Sequence, residues 1–305
     1  MIEVQNLVKE YGANRAVDGV SFAIGKGEIV GFLGPNGAGK TTTLRVLAGY
    51  LPQTSGTVKI LGLDNLGHAL DIRRQAGYLP ENNPIYETME VSEYLGFLWH
   101  ARNLGDASAR DLRLREVIGS CGLSSVIGKD IVELSKGYLQ RVCVAAAILH
   151  DPAVLLLDEP TGGLDPIQAR EVRELIVSLK AEKTILLSTH ILPEVHAICD
   201  RVLIIHKGRL VADRTLAALS ESEEYLITVS FSKALENGNR FDSFDGVVAV
   251  EGPEKNVLDE YSYRIRATKD IRAEVFKYAA SHRLSLVELK AERKSLEEIF
   301  HELTR

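Results

Sequence analysis

Gly34-Pro35-Asn36-Gly37-Ala38-Gly39-Lys40-Thr41 fits the pattern G-x-x-x-x-G-K-[ST] at every fixed position. The run before it, residues 28–33, is short and apolar after Glu28, as a buried strand should be. The run after it, residues 42–50, carries Leu44, Val46, Leu47 and Ala48 and reads as a helix. Strand, glycine loop and helix in that order are the setting the motif requires. Glycines let backbone N–H groups converge on phosphate oxygens where a Cβ would obstruct them. The following helix adds the positive end of its dipole. In such a loop Lys40 reaches the β- and γ-phosphates, the Thr41 hydroxyl holds Mg²⁺, and Thr42 follows at the helix start. The stretch predicts binding of a nucleoside triphosphate.

The chain has 305 residues, enough for two domains and a sizeable core. Hydrophobic residues make up 45% and charged residues 26%, as expected of a globular protein. A net charge of −6 offers no basic footprint for non-specific nucleic-acid binding. Cys121, Cys143 and Cys199 lie far apart, which suggests neither a metal site nor a disulfide framework and fits a reducing cytoplasm. Met1-Ile-Glu-Val-Gln lacks the basic and apolar regions of a signal peptide. No apolar run approaches the roughly 18–20 residues of a membrane-spanning helix. Work at a membrane would need another chain to cross it.

Taken in order, residues 1–11 and 20–24 read as strands, 58–61 as a strand and 64–75 as a helix. Residues 77–81 lead off a strand into a loop. From 86 to 150 the texture turns helical, with Val91, Leu95, Leu98 and Trp99 at helical spacing. Residues 153–157, 184–188 and 202–206 are apolar runs of buried-strand type, separated by helices at 166–180 and 192–199. This alternation predicts a right-handed α/β core over residues 1–219, with a helical insertion at about 86–150. Residues 220–224 are polar and suit a linker. Residues 220–305 read as a small α+β domain, with strands at 225–231, 246–251, 261–267 and 284–289. Its helices are expected at 270–282 and 295–303, with Asp270 and Ser295 as N-caps. A ferredoxin-like arrangement with an added helix suits this order. The segment contains no phosphate loop, metal cluster or nucleophile.

Leu155-Leu-Leu-Asp158-Glu159-Pro160 is an apolar strand ending in two acids. Asp158 is suited to hold Mg²⁺ beside Thr41, and Glu159 to polarise an attacking water as a general base. In Leu134-Ser-Lys-Gly-Tyr-Leu-Gln-Arg141, Ser135 and Gly137 sit where a helix N-terminus offers N–H donors to an anion. Taken alone, Ser135 is equally explained as a helix cap.

These motifs together resemble the ATP-binding subunit of an ABC transporter, over residues 1 to about 215. The Walker A loop runs from Gly34 to Thr41 and the Walker B strand ends at Asp158. Leu134-Ser-Lys-Gly-Tyr138 resembles the family signature Leu-Ser-Gly-Gly-Gln. Gly163-Leu-Asp165 matches the D-loop, and His190, after Ser188-Thr189, matches the switch histidine. Tyr11 stands where the family places an aromatic under the adenine ring. The resemblance implies a P-loop ATPase of ABC type that uses ATP and Mg²⁺. It implies a head-to-tail homodimer in which Ser135 and Gly137 of one chain face the γ-phosphate held by the other's Lys40. Hydrolysis at Glu159 would let the pair reopen, with His190 on the γ-phosphate and Asp165 linking the two sites.

Four positions depart from the family pattern. Glu81 stands where Gln is usual, and a carboxylate there can also ligate Mg²⁺ or its water. The signature carries Lys136 for Gly and Tyr138 for Gln. Position 162 is Gly where related sequences often carry Ser or Asn. A finer resemblance, through Gly77-Tyr-Leu-Pro-Glu-Asn-Asn-Pro84, Leu134-Ser-Lys-Gly-Tyr138 and the tail at 295–300, is to bacterial export-type ATPases of the gliding-motility and multidrug kind. It implies a separate membrane permease subunit, met through residues 86–104, where Tyr94 and Trp99 are candidate contacts or, equally, core packing of the insertion itself. The expected place is the cytoplasmic face of the cell membrane. The alternative is a non-transport ABC-type ATPase acting on nucleic acid or the ribosome. Against it stand the single Walker A motif, the absence of sustained heptads and the acidic charge, so no nucleic-acid partner is expected.

Overall fold

Strand β3 (Ile29–Leu33) is buried at every residue and stands inside the largest sheet. The computed structural model describes residues 1–221, 225–235, 241–255 and 260–293. They form two compact units, Met1–Leu216 and Ala217–Arg305.

In the first unit, β1 (Ile2–Tyr11) and β2 (Asn14–Ile24) pair antiparallel, and β1 also pairs with β4 (Ser55–Ile60). The short strand β5 (Leu63–Asp64) extends that sheet beside β4. The larger sheet has the order β10-β9-β3-β8-β7-β6. Its members are β6 (Ala76–Leu79), β7 (Val154–Asp158), β8 (Thr184–Thr189), β9 (Arg201–His206) and β10 (Arg209–Thr215). All neighbours are parallel except the β9–β10 pair. Strands buried on both faces must read as continuous apolar runs, and β3, β7 and β8 do.

Helix α1 (Lys40–Leu47) begins at Lys40, two residues before the expected start, because Gly39 takes the left-handed conformation that opens the helix. Leu44 and Leu47 pack in one core with Ile2, Phe22, Phe32 and Val58. The helix expected at 64–75 shrinks to α2 (Ala69–Gln75). The Asp64 carboxylate accepts from the backbone N–H groups of Leu66 and Gly67, both at 3.1 Å, and diverts the chain into a turn. Strand β10 was not anticipated. It returns through Lys207-Gly208, both at positive φ, the turn that suits a two-residue hairpin.

The helical stretch holds α3 (Val91–Arg102), α4 (Ala107–Ser120) and α5 (Lys136–Ile148). Trp99, a candidate partner contact in the sequence, is 5% exposed and donates through Nε1 to the Gly105 carbonyl at 3.1 Å. Tyr94 is buried as well. Both pack the interior of the insertion, since a large ring gains most by leaving water. Helices α6 (Pro166–Ser178) and α7 (Leu192–Ile198) complete the alternation between β7, β8 and β9. Helix α8 (Leu216–Glu221) occupies the first part of the expected polar linker.

The second unit is an antiparallel sheet of order β12-β13-β11-β14, built from β11 (Tyr225–Phe231), β12 (Val247–Lys255), β13 (Tyr261–Ala267) and β14 (Leu286–Arg293). Numbered within the unit this is 2-3-1-4, the ferredoxin-like strand order. Helix α9 (Arg272–Ser281) joins β13 to β14 and buries Val275 and Ala279 in a core with Phe231, Phe241 and Tyr263. Its N-cap is Ile271. Asp270, the expected cap, accepts instead from the N–H of Arg272 at 3.1 Å. The helix and cap expected at 295–303 lie outside the described residues.

Candidate active site

The register of the parallel sheet builds the site. Leu33 of β3 stands opposite Thr189 of β8, and Asp158 of β7 opposite Ser188. Three strands therefore end at one edge, and the loops after them carry Lys40, Glu159 and His190. The carboxyl ends of parallel strands are where open α/β sheets bind ligands.

The phosphate loop is held from within. Lys40 is buried, and its Nζ donates to the carbonyls of Gly34 at 2.7 Å and Pro35 at 3.2 Å. Thr43 Oγ1 donates to the Gly39 carbonyl at 2.9 Å. At Gly39, φ is +106° and a Cβ would stand 2.5 Å from the Ala16 carbonyl oxygen, so only glycine fits. Helix α1 has no side-chain cap and no acid in its first turn, the setting in which a helix N-terminus favours an anion.

Around Asp158 the hydroxyls converge. Thr41 Oγ1 donates to Oδ1 at 3.2 Å and Ser188 Oγ donates to the same oxygen at 2.6 Å. Oδ2 is buried with no hydrogen-bond partner among the described residues. A buried carboxylate oxygen left open beside a hydroxyl is a donor set suited to a hard divalent cation. The sequence reading missed Ser188, which also accepts from the Glu159 N–H at 3.1 Å. Burial, and then the negative Asp158 nearby, push the Tyr78 phenol up to about 12.

Glu159 adopts φ of +48°, left-handed for a non-glycine residue, a strain that functional sites tolerate. Its Oε1 lies 3.4 Å from Lys40 Nζ, and its Oε2 accepts from His190 Nδ1 at 3.0 Å. A cavity of about 770 Å³ opens over these groups. Of the residues singled out in the sequence, Tyr11, Asn36, Gly37, Gly39, Lys40, Thr41, Thr42, Glu81, Glu159, Gly162, Gly163 and His190 line it. Asn14, Ala16, Asn82 and Gln140, which the sequence did not flag, line it too. Gly34, Pro35 and Ala38 shape the loop from outside the lining.

Ser135 and Gly137 are not brought to this cavity. They line a second one of about 380 Å³ with Asp165 and Gln168. Ser135 caps α5, its Oγ accepting from the Tyr138 N–H at 3.4 Å. Asp165 caps α6 through the N–H groups of Ile167 and Gln168, each at 2.9 Å. Tyr138 stacks under Arg141, 5.4 Å from guanidinium to ring.

A glycine loop that grips its lysine, a strand-end acid beside the loop threonine, and a carboxylate between lysine and histidine define a P-loop nucleoside triphosphatase. The family profile described as ABC transporter matches residues 17–162, and an AAA domain profile matches residues 130–195. YdbJ of Bacillus subtilis, an uncharacterized ABC transporter ATP-binding protein, is 37% identical over 265 residues, 84% of this chain and 85% of that protein. The bacitracin transport ATP-binding protein BcrA of Bacillus licheniformis is 40% identical over 215 residues, 70% of this chain and 69% of that protein. Among solved structures, the dimeric bacterial ABC transporter cassette MJ0796 superposes with a TM-score of 0.65 at 25% identity, covering 71% of this chain and 99% of that one. The chain belongs to the ABC transporter ATP-binding protein family. It is an ATP-binding subunit of that type, from a family of cassettes that hydrolyse ATP. Among the described residues no helix is long and apolar enough to cross a membrane.

Proposed function

We propose that this subunit powers export through a separate membrane permease, from the cytoplasmic face of a bacterial cell membrane, by closing on a second copy around ATP and Mg²⁺. Lys40 and the loop N–H groups bind the β- and γ-phosphates, and Tyr11 stacks under the adenine. Thr41 and Asp158 hold Mg²⁺, with Glu81 on the metal or its water; the ion supplies charge neutralisation between the phosphates. Glu159 takes the proton of the attacking water. His190 contacts the γ-phosphate and steadies Glu159. Ser135 and Gly137 of the partner copy close over that phosphate.

One observation carries this reading. The helix ends after Gly39 and Ser135 face different cavities, which supports a reading in which each is half of a site that a second copy completes. A ligand that touches both halves only in the closed pair biases closure. Export draws on the likeness to BcrA, a bacitracin transport protein. A groove of about 390 Å³ lined by Arg45, Tyr50, Tyr78, Leu98 and Arg102 supports a permease contact on the helical insertion. Tyr86 and Phe97 are 53% and 41% exposed and stand edge to face at 5.4 Å. They are better candidates for that contact than Tyr94 or Trp99.

The test is capture from detergent-solubilised native membranes by the Glu159→Gln chain with ATP and Mg²⁺. Recovery of a protein with several membrane-spanning helices is expected. Recovery of ribosomal or DNA-bound proteins alone would overturn the transport reading.

A further inference from the structure

Glu194 lies on α7, outside every motif above, and is 6% exposed. A buried carboxylate is costly unless its oxygens are satisfied. Here two threonine hydroxyls satisfy it. Thr161 Oγ1 donates to Oε1 at 2.5 Å, and Thr189 Oγ1 donates to Oε2 at 2.7 Å. Arg173 Nη1 stands 4.0 Å from Oε1. Both threonines are buried.

Their places in the chain give the arrangement its meaning. Thr161 follows Glu159 by two residues, on the turn that leads to Asp165. Thr189 directly precedes His190, and its Oγ1 also accepts from the Ile191 N–H at 3.0 Å. The β7–β8 ladder ends at the Asp158–Ser188 pair. Past that pair, Thr161 lies on the turn after β7 and Thr189 ends β8, and the Glu194 carboxylate spans the two with one oxygen on each. A satisfied buried acid could have taken both hydroxyls from one loop. This one divides them between the turn that follows Glu159 and the strand end that precedes His190.

We propose that Glu194 is a positioning residue for ATP hydrolysis, a clamp that sets the separation of Glu159 and His190. The proposal rests on the reading that Glu159 activates water. A clamp acts on the geometry of the chemical step and leaves the phosphate loop alone. Its loss therefore lowers kcat and spares ATP binding.

The test uses the full chain with Thr161→Val, Thr189→Val, the double variant and Glu194→Gln. The readouts are steady-state ATP turnover with Mg²⁺, binding of a fluorescent ATP analogue, and thermal midpoint. Each valine variant keeps the side-chain shape, so the test does not depend on Glu194→Gln folding. Each is expected to lose about tenfold or more in kcat, with analogue affinity within about twofold. Because either break opens the same clamp, the double variant should lose no more than the worse single. Wild-type turnover in the folded valine variants, losses that multiply in the double, or losses that track analogue affinity would overturn the clamp. Wild-type turnover by Glu159→Gln would overturn the catalytic reading beneath it. A dead Glu159→Gln beside fully active valine variants would overturn the clamp alone.

Discussion

Lys40 Nζ stands 3.4 Å from Glu159 Oε1, so the lysine that would grip the γ-phosphate already faces the carboxylate that would activate water. The other Glu159 oxygen is taken by His190. The carboxylate is thus held between two donors, and an incoming γ-phosphate competes with it for Lys40. Glu159→Gln removes both the base and the competing charge. Turnover should fall by at least about 100-fold, while ATP affinity stays equal or tightens. Steady-state phosphate release and direct ATP binding check the two halves. Undiminished turnover would end the assignment.

Asp158 is fully buried, and its Oδ2 lacks a partner among the described residues. Such a charge costs stability until a cation answers it. Asp158→Asn should therefore raise the thermal midpoint measured in EDTA, by an amount equivalent to about 1 kcal/mol. It should also abolish the extra stabilisation that Mg²⁺ adds to ATP and the turnover that depends on it. A wild-type response to Mg²⁺ would remove Asp158 from the metal site.

The two aromatics singled out on the helical insertion behave as core. Trp99→Glu should cost more than about 3 kcal/mol and reduce soluble yield. Phe97→Glu lies on the exposed face and should change stability by less than about 0.5 kcal/mol. Basal ATP turnover in Phe97→Glu should match the wild type, with capture of the membrane protein lost. Retained capture would place the permease contact elsewhere.

His150 should make the fold acid-sensitive between pH 6.5 and 4. Its Nε2 donates to the Ala76 carbonyl at 3.1 Å, and Nδ1 is buried without a partner among the described residues. Burial, and then the positive Arg102, lower its pKa from 6.5 to about 4. The folded protein thus refuses a proton that the unfolded chain accepts. The stabilising effect is complete above pH 6.5 and is lost as pH falls toward 4. Between pH 6.5 and 5 the loss is about 2 kcal/mol. His150→Gln should flatten that part of a urea-denaturation profile, and an unchanged slope would assign the acid sensitivity elsewhere.

How much of this was legible follows from where each signal is stored. The phosphate loop is encoded by spacing, since Gly39, Lys40 and Thr41 must be consecutive for the geometry to work. The buried strands β3, β7 and β8 are encoded by unbroken apolar runs. Glu194 and Ser188 had no such signature. Each is one polar residue in an ordinary helix or strand, and only the folded register shows what it reaches. Trp99 stayed open between core and partner contact, because helical spacing marks an apolar stripe without saying whether the stripe meets its own domain or a partner. Asp64 shortened α2 through a local turn that a periodicity count does not see, whereas the Lys207-Gly208 turn before β10 was readable and went unread.

In the proposed closed pair, one chain's phosphate loop is completed by another chain's Ser135 and Gly137. Sedimentation of Glu159→Gln with ATP and Mg²⁺, with and without Gly137→Asp, tests it most directly. Glu159→Gln should sediment as a species of twice the 33.5 kDa chain mass. Adding Gly137→Asp should leave a monomer that still binds ATP. A Glu159→Gln chain that stays monomeric with ATP bound, or a dimer that survives Gly137→Asp, would contradict that pairing.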